Sequence, residues 1–144
     1  MQVRELMTGA LIKVGPDANV FDARHLMVQR QIRHLLVTSE SGELLGIVTD
    51  RDIRLNMPSQ ATSLSVWEIN HLLNQLTVGK VMTQAVITTG PEREAREAAR
   101  LMLDHKIGAL PVVDGGHLVG ILTETDLLRA FVMSEDKIAA LRSR

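Results

Sequence analysis

Gly46-Ile47-Val48-Thr49-Asp50-Arg51-Asp52 returns later in the chain as Gly120-Ile121-Leu122-Thr123-Glu124-Thr125-Asp126. Each copy runs from a glycine through an apolar pair to a threonine, with an aspartate three residues further on. The pattern reads as the end of a buried strand at the point where a helix starts. A helix N-terminus offers free N–H groups and partial positive charge, which suits phosphate. The threonine hydroxyl is another donor, and the aspartate carboxylate is an acceptor that fits the two hydroxyls of a ribose. The same residues also read as a capping box, with threonine at the N-cap and the acid at N3. Two features favour a ligand over capping alone. Capping boxes prefer Glu or Gln at N3 whereas both copies carry Asp, and both motifs are expected to open on a cleft between the copies. Both readings stand at this point.

The repetition extends outward from this motif. With a shift of 75 residues, Val3, Met7, Thr8, Ala10, Ile12, Gly15 and Pro16 fall on Val78, Met82, Thr83, Ala85, Ile87, Gly90 and Pro91. Ala23, Leu26, Met27, Ile32, Leu35 and Val37 fall on Ala98, Leu101, Met102, Ile107, Leu110 and Val112. One residue is then lost in a turn, and the match resumes from Gly42 on Gly116 to Asp52 on Asp126. Such a run of matches, with its one gap in a turn, marks a tandem duplication.

Each copy reads as strand, helix, two strands, helix. The first strands, Leu11 to Val14 and Val86 to Thr89, end at Gly-Pro, which is expected to start a helix. Ala95, Ala98, Ala99 and Met102 make one apolar helical face, and Val20, Ala23 and Met27 make its counterpart. Strands follow at His34 to Thr38 and Leu44 to Val48, and again at Ala109 to Val113 and Leu118 to Leu122. Ser41-Gly42 and Gly115-Gly116 supply the hairpin turns. The second helices are expected near Asp52 and Asp126, burying Ile53 and Leu127. The fold class is therefore α/β, a duplicated β-α-β-β-α unit. One unit of about 50 residues is too small to close a core comfortably, so two copies are expected to pack with pseudo-twofold symmetry around a cleft. The boundaries read as 1–57 for the first motif, 58–77 for a loop and linker helix, 78–134 for the second motif and 135–144 for a tail. In the insert, Met57-Pro58-Ser59-Gln60 reads as loop, and Ser65 with Glu68 forms a capping box. Ile69, Leu72, Leu73 and Leu76 then make an apolar stripe, expected to cover the sheet or a partner subunit.

Composition excludes several classes of function. Of 144 residues, 45% are hydrophobic and 23% charged, with a formal net charge of −1, so nothing argues for nucleic acid or a membrane surface. Only Phe21, Trp67 and Phe131 are aromatic, too few to stack a set of bases. The absence of cysteine removes thiol catalysis, disulfides and thiolate metal sites, and suits a reducing compartment. Met1 to Val14 carries Arg4 and Glu5 without a continuous apolar core, so no signal peptide is expected, and a cytoplasmic location follows. His25, His34, His71, His105 and His117 show no metal-ligand spacing, so no metal or cofactor is expected. No nucleophile sits in a Gly-x-Ser-x-Gly turn, and no enzyme is expected. The alternating charges from Glu92 to Arg100 read as a solvated helix face, and Met27 and Met102 as core fillers.

The doubled G-h-h-T-x-x-D motif, with Ala109-Leu110-Pro111-Val112-Val113-Asp114 upstream of its second copy, resembles the CBS motif pair, or Bateman module. The likeness covers nearly the whole chain outside the insert and last residues. Ser65-Val66-Trp67-Glu68-Ile69-Asn70 and Glu124-Thr125-Asp126-Leu127-Leu128 look more narrowly like acetoin-utilisation B-type CBS proteins, many of which continue into a further regulatory domain. The resemblance implies a non-catalytic sensor that binds an adenosine-containing ligand: AMP, ADP, ATP, NAD or S-adenosylmethionine. It implies sites that join the early half of one copy to the Thr-x-x-Asp of the other. By position the main site takes Gly15, Val20, Ile32, Arg33 and His34 with Thr123, Thr125 and Asp126. The second takes Gly90, Ala95, Ile107, Gly108 and Ala109 with Thr49, Arg51 and Asp52. Ile32 or Ile107 would wall the adenine, and Arg33 and His34 would favour phosphate at the main site. A homodimer and an unidentified protein partner are also implied. The alternative is a structural interaction module without ligand, in which Thr-x-x-Asp only caps helices.

Overall fold

A computed structural model of the chain describes residues 1–58 and 63–142. The elements in chain order are α1 (Val3–Leu6), β1 (Lys13–Val14), α2 (Val20–Arg30), β2 (His34–Thr38), β3 (Leu44–Thr49), α3 (Asp50–Leu55) and α4 (Val66–Gln75). They continue with α5 (Val78–Val81), α6 (Ala95–His105), β4 (Ala109–Asp114), β5 (His117–Thr123) and α7 (Glu124–Arg142). The loop expected at Met57 to Gln60 falls in part at 59–60, outside the described residues. The tail expected from 135 continues α7 as far as Arg142.

The chain forms two compact units, and these are cut differently from the sequence repeats. One unit is Ile12–Val86; the other joins Met1–Leu11 to Ile87–Arg144. The opening segment of each repeat therefore sits in the unit of the other. Val78 is fully buried in the core of the first unit with Val20, Ala23, Met27, Leu35, Val37, Val48 and Ile53. Val3 is fully buried in the second with Ala98, Met102, Leu110, Val112 and Leu122. These cores are aliphatic throughout, which leaves little polar cost to offset the burial.

The first unit carries the sheet β1-β2-β3 and the second the hairpin β4-β5. His34 pairs with Thr49 and Ala109 with Thr123, and both hairpins slip register at the same place, after Val37 and after Val112. Gly115 and Gly116, at φ 56° and 82°, adopt the left-handed conformations that a two-residue hairpin turn requires. The expected first strands are shorter than their sequence suggests. Only Lys13–Val14 pairs in parallel with Leu36 and Val37, and in the second unit only Thr89 bridges to Val112. The second copy has a reason. Thr89 N–H donates to the carbonyl of Pro111, and a proline there has no N–H to return to the ladder, whereas repeat one has Leu36.

The helices do not begin at Gly-Pro. Pro16 and Pro91 stand in turns, and the helices start four residues later, at Val20 and Ala95. In the first unit Asn19 fixes the start, its Oδ1 accepting from Phe21 N–H at 2.8 Å. The buried faces are as expected at Val20, Ala23 and Met27 and at Ala95, Ala98 and Met102, with Ala99 half-buried. On α4, Ser65 is the N-cap and accepts from Glu68 N–H, while the Glu68 carboxylate bonds the Ser65 hydroxyl and not the backbone. The stripe on this helix is mostly withdrawn from solvent, and Leu76 packs against the core of the first unit. Leu73 is buried, Ile69 and Leu76 are half-buried, and Asn19 Nδ2 reaches the Leu73 and Asn74 carbonyls. Leu72 and Trp67 remain exposed.

Candidate functional site

The two Thr-x-x-Asp turns are nearly superposable in their bonding. Thr49 ends β3, and its N–H donates to Asp52 Oδ2 at 2.9 Å while Asp52 N–H donates to Thr49 Oγ1 at 3.0 Å. Thr123 N–H donates to Asp126 Oδ2 at 2.9 Å, and Asp126 N–H to Thr123 Oγ1 at 3.3 Å. The Thr123 hydroxyl also approaches Asp126 Oδ2 at 3.1 Å. Both turns are thus complete capping boxes. The shorter aspartate reaches the N-cap N–H as a glutamate would, so the choice of Asp at N3 does not by itself exclude capping.

Capping uses one carboxylate oxygen and leaves the other. Asp52 Oδ1 has no partner among the described residues. Among the described residues Asp126 Oδ1 has only Arg129 Nη1 at 3.5 Å, and that arginine side chain is 65% exposed. Asp126 is buried and Asp52 half-buried. A carboxylate oxygen fixed by a helix cap and held partly out of water is pre-oriented to accept a hydroxyl.

Within each unit, a second strand end is strapped to the turn. Asp50 N–H donates to the Arg33 carbonyl at 3.1 Å, and Glu124 N–H to the Gly108 carbonyl at 3.0 Å. Ile32, Arg33 and His34 therefore stand beside Thr49, Arg51 and Asp52 of the same unit, and Ile107, Gly108 and Ala109 beside Thr123, Thr125 and Asp126. Arg33 and Arg51 are exposed, with no ion pair among the described residues; Ile32, His34, Ile107 and Gly108 are half-buried, and Ala109 is buried. Thr125 is exposed. The remaining candidates lie elsewhere in their units. Gly15 follows the Val14–Val37 pair, so it lies at the hairpin end of β2, away from His34. It lines an open cleft of about 340 Å³ with Pro16, Thr38 and Ser39. Gly90 lines the equivalent cleft of about 490 Å³ with Pro91 and Val113. The side chains of Val20 and Ala95 are enclosed in their helices' buried faces.

One pair of segments received no structural role from the sequence. Thr8 exchanges two backbone hydrogen bonds with Ile121, at 2.9 and 3.0 Å, and Thr83 exchanges two with Ile47, at 2.9 and 3.1 Å. Met7-Thr8 and Met82-Thr83 are thereby laid along the strands that lead into the Thr-x-x-Asp turns. The glycine that opens each motif makes this approach fit. A Cβ on Gly46 would stand 2.7 Å from both Met82 Sδ and the Thr83 carbonyl oxygen, and one on Gly120 would stand 2.6 Å from Met7 Sδ. The matched Met-Thr pairs at a 75-residue spacing were the signal for this role. Among the described residues no group of three or more His, Cys, Asp or Glu could hold a metal ion, and no helix is long and apolar enough to cross a membrane.

Comparison with known proteins matches the CBS domain at residues 3–59 and 78–133. Three solved structures are similar over most of the chain. The AcuB protein from Vibrio cholerae is 31% identical, with a TM-score of 0.76, covering 99% of this chain and 96% of that one. CBSX2 in complex with AMP is 31% identical, with a TM-score of 0.75 over 93% of this chain and 98% of that one. The CBS domain pair of MJ0100, in complex with 5′-methylthioadenosine and S-adenosyl-L-methionine, is 26% identical, with a TM-score of 0.77 over 93% and 98%.

Proposed function

Because the chain belongs to the CBS domain family and carries two copies of that domain, we propose that it is a regulatory module that binds an adenosine-containing ligand and passes the binding event to a protein partner. The observation that carries this reading is the duplicated carboxylate, capped through Oδ2 with Oδ1 left over, beside a strapped strand end. AMP, 5′-methylthioadenosine and S-adenosyl-L-methionine, bound by the similar proteins, share the adenosine and not the phosphate. The shared part offers a ribose with hydroxyl donors and a flat apolar base, which suit a carboxylate acceptor and an isoleucine wall.

Within each unit the spare acceptor has the strapped strand end as its neighbour, Ile32 and Arg33 beside Asp52 and Ile107 and Gly108 beside Asp126, and Arg33 supplies a cation for a phosphate if the ligand has one. The role is regulatory rather than catalytic, and a cytoplasmic setting suits a cysteine-free chain.

One observation favours the other reading, a structural module without ligand: both Thr-x-x-Asp turns close full capping boxes. Asparagine separates the two. In Asp126→Asn the side-chain oxygen still accepts from Thr123 N–H, so the ligand-free melting temperature falls only slightly. A hydrogen bond to a charged group contributes about 1.5–3 kcal/mol, so AMP affinity should drop roughly 10- to 100-fold by calorimetric titration. Asp52→Asn puts the same question to the other motif, whose Thr49 N–H is capped in the same way. Equal, intact binding in both variants would leave Thr-x-x-Asp as a cap alone.

A further inference from the structure

The two Thr-x-x-Asp turns bond alike, but the helices behind them differ by a transposition. The first copy continues Asp52-Ile53-Arg54-Leu55, and the second Asp126-Leu127-Leu128-Arg129. In α3 the arginine stands four residues after Asp50 and pairs with it, Nε to Oδ2 at 3.1 Å. In α7 it stands three residues after Asp126, and its Nη1 meets Asp126 Oδ1 at 3.5 Å. Helix geometry dictates both choices, because side chains three or four residues apart share a face and those two or five apart do not. The place of the arginine therefore selects the acid it holds. In the first copy that is the acid ahead of the cap, and in the second it is the capping acid itself. Leu55 occupies the place that matches Arg129; it carries no charge, and Asp52 Oδ1 keeps no partner among the described residues.

We propose that Arg129 is an internal competitor for the Asp126 acceptor, so that the two turns load unequally and the Asp52 turn fills first. The inference rests on the adenosine-binding reading above. Thr123 takes Asp126 Oδ2 through both its N–H and its hydroxyl, which leaves Oδ1 as the oxygen a ribose hydroxyl needs. Oδ1 is the oxygen that Arg129 meets. The Asp126 side chain is only 6% exposed, so the guanidinium stands where water would otherwise solvate the carboxylate. A neutral hydroxyl arriving there must displace the guanidinium or share the oxygen with it. An ion pair whose cation lies in water is weak, so the competition is a bias of a few-fold and not a block. At Asp52 no such exchange is required, because Arg54 is engaged with Asp50.

Adenosine itself is the probe, since it carries no charge and reads the carboxylate without a phosphate contact. In an Asp52→Asn chain only the Asp126 turn keeps its charged acceptor. Adding Arg129→Leu, the residue found at the matching place in the first copy, should tighten adenosine roughly two- to fivefold by calorimetric titration. Salt screens the ion pair, so higher ionic strength should tighten adenosine while Arg129 is present and change nothing once it is leucine. An arginine with a purely structural role would not produce that salt response. The converse exchange, Arg54→Leu with Leu55→Arg in an Asp126→Asn chain, alters two exposed positions and should weaken adenosine at Asp52 by a similar factor. Unchanged affinity in Arg129→Leu would overturn the proposal. Weaker affinity would overturn it too, and would make Arg129 a contact to the ligand. A chain without substitutions that binds no adenosine would instead overturn the binding reading, and this proposal with it.

Discussion

Gly46 and Gly120 stand at the same place in the two motifs, yet a methyl group should not cost the same at both. At Gly46 the new Cβ meets the Thr83 carbonyl oxygen at 2.7 Å, and that oxygen is held by Ile47 N–H. At Gly120 the nearest backbone atom, the Thr8 oxygen, is 3.1 Å away, and the closest contact is the sulfur of Met7, which can swing aside. Overpacking of this kind costs about 1–3 kcal/mol, so Gly46→Ala should lie toward the upper end and Gly120→Ala toward the lower. Urea unfolding of the two variants measures the difference; equal midpoints would mean that the backbone contact yields as easily as the methionine. The glycine was legible in the sequence as part of a motif, but its reason was not. The atoms that exclude a side chain at Gly46 come from Met82 and Thr83, 36 and 37 residues further on. The choice of Asp at N3 is a second residue-scale case. Composition preferences set it apart from capping, and the hydrogen bonds show that it caps.

At the scale of elements, the parts with internal periodicity were readable. The β2, β3, β4 and β5 runs and the buried faces of α2 and α6 lie where apolar patterning put them, within a residue or so at each strand end. The four-residue helices α1 and α5 were not readable, because so short a segment has no period and draws its stability from packing alone. Val3 and Val78 supply that packing, each fully buried in the unit of the other repeat. The exchange makes a sharp prediction. Residues 12–86 form a continuous compact unit that includes α5, whereas a cut after residue 57 removes Val78 and Val81 from the core. A fragment of residues 12–86 should therefore unfold cooperatively in urea, and one of residues 1–57 should give no transition. Cooperative unfolding of the 1–57 fragment would show that the swapped segment is dispensable.

For the whole molecule, duplication was the most informative feature of the sequence, since it gave two copies of one motif and the family to which they belong. What it could not give was the division of the chain between units, because repeats record ancestry whereas compact units record contacts. The two cores are aliphatic and the Thr-x-x-Asp carboxylates are held by caps, so among the described residues a spare acceptor oxygen is left on Asp52 and, against one weak contact, on Asp126. The central claim is that adenosine compounds occupy those acceptors. Thermal unfolding of the intact chain, with and without AMP, ADP, ATP, NAD, 5′-methylthioadenosine or S-adenosylmethionine, tests it most directly. A compound present at 100 times its dissociation constant should stabilise the fold by about 2.7 kcal/mol and raise Tm by at least about 5 °C. If none of these compounds at millimolar concentration moves the transition, the chain does not bind adenosine and its two motifs serve as helix caps.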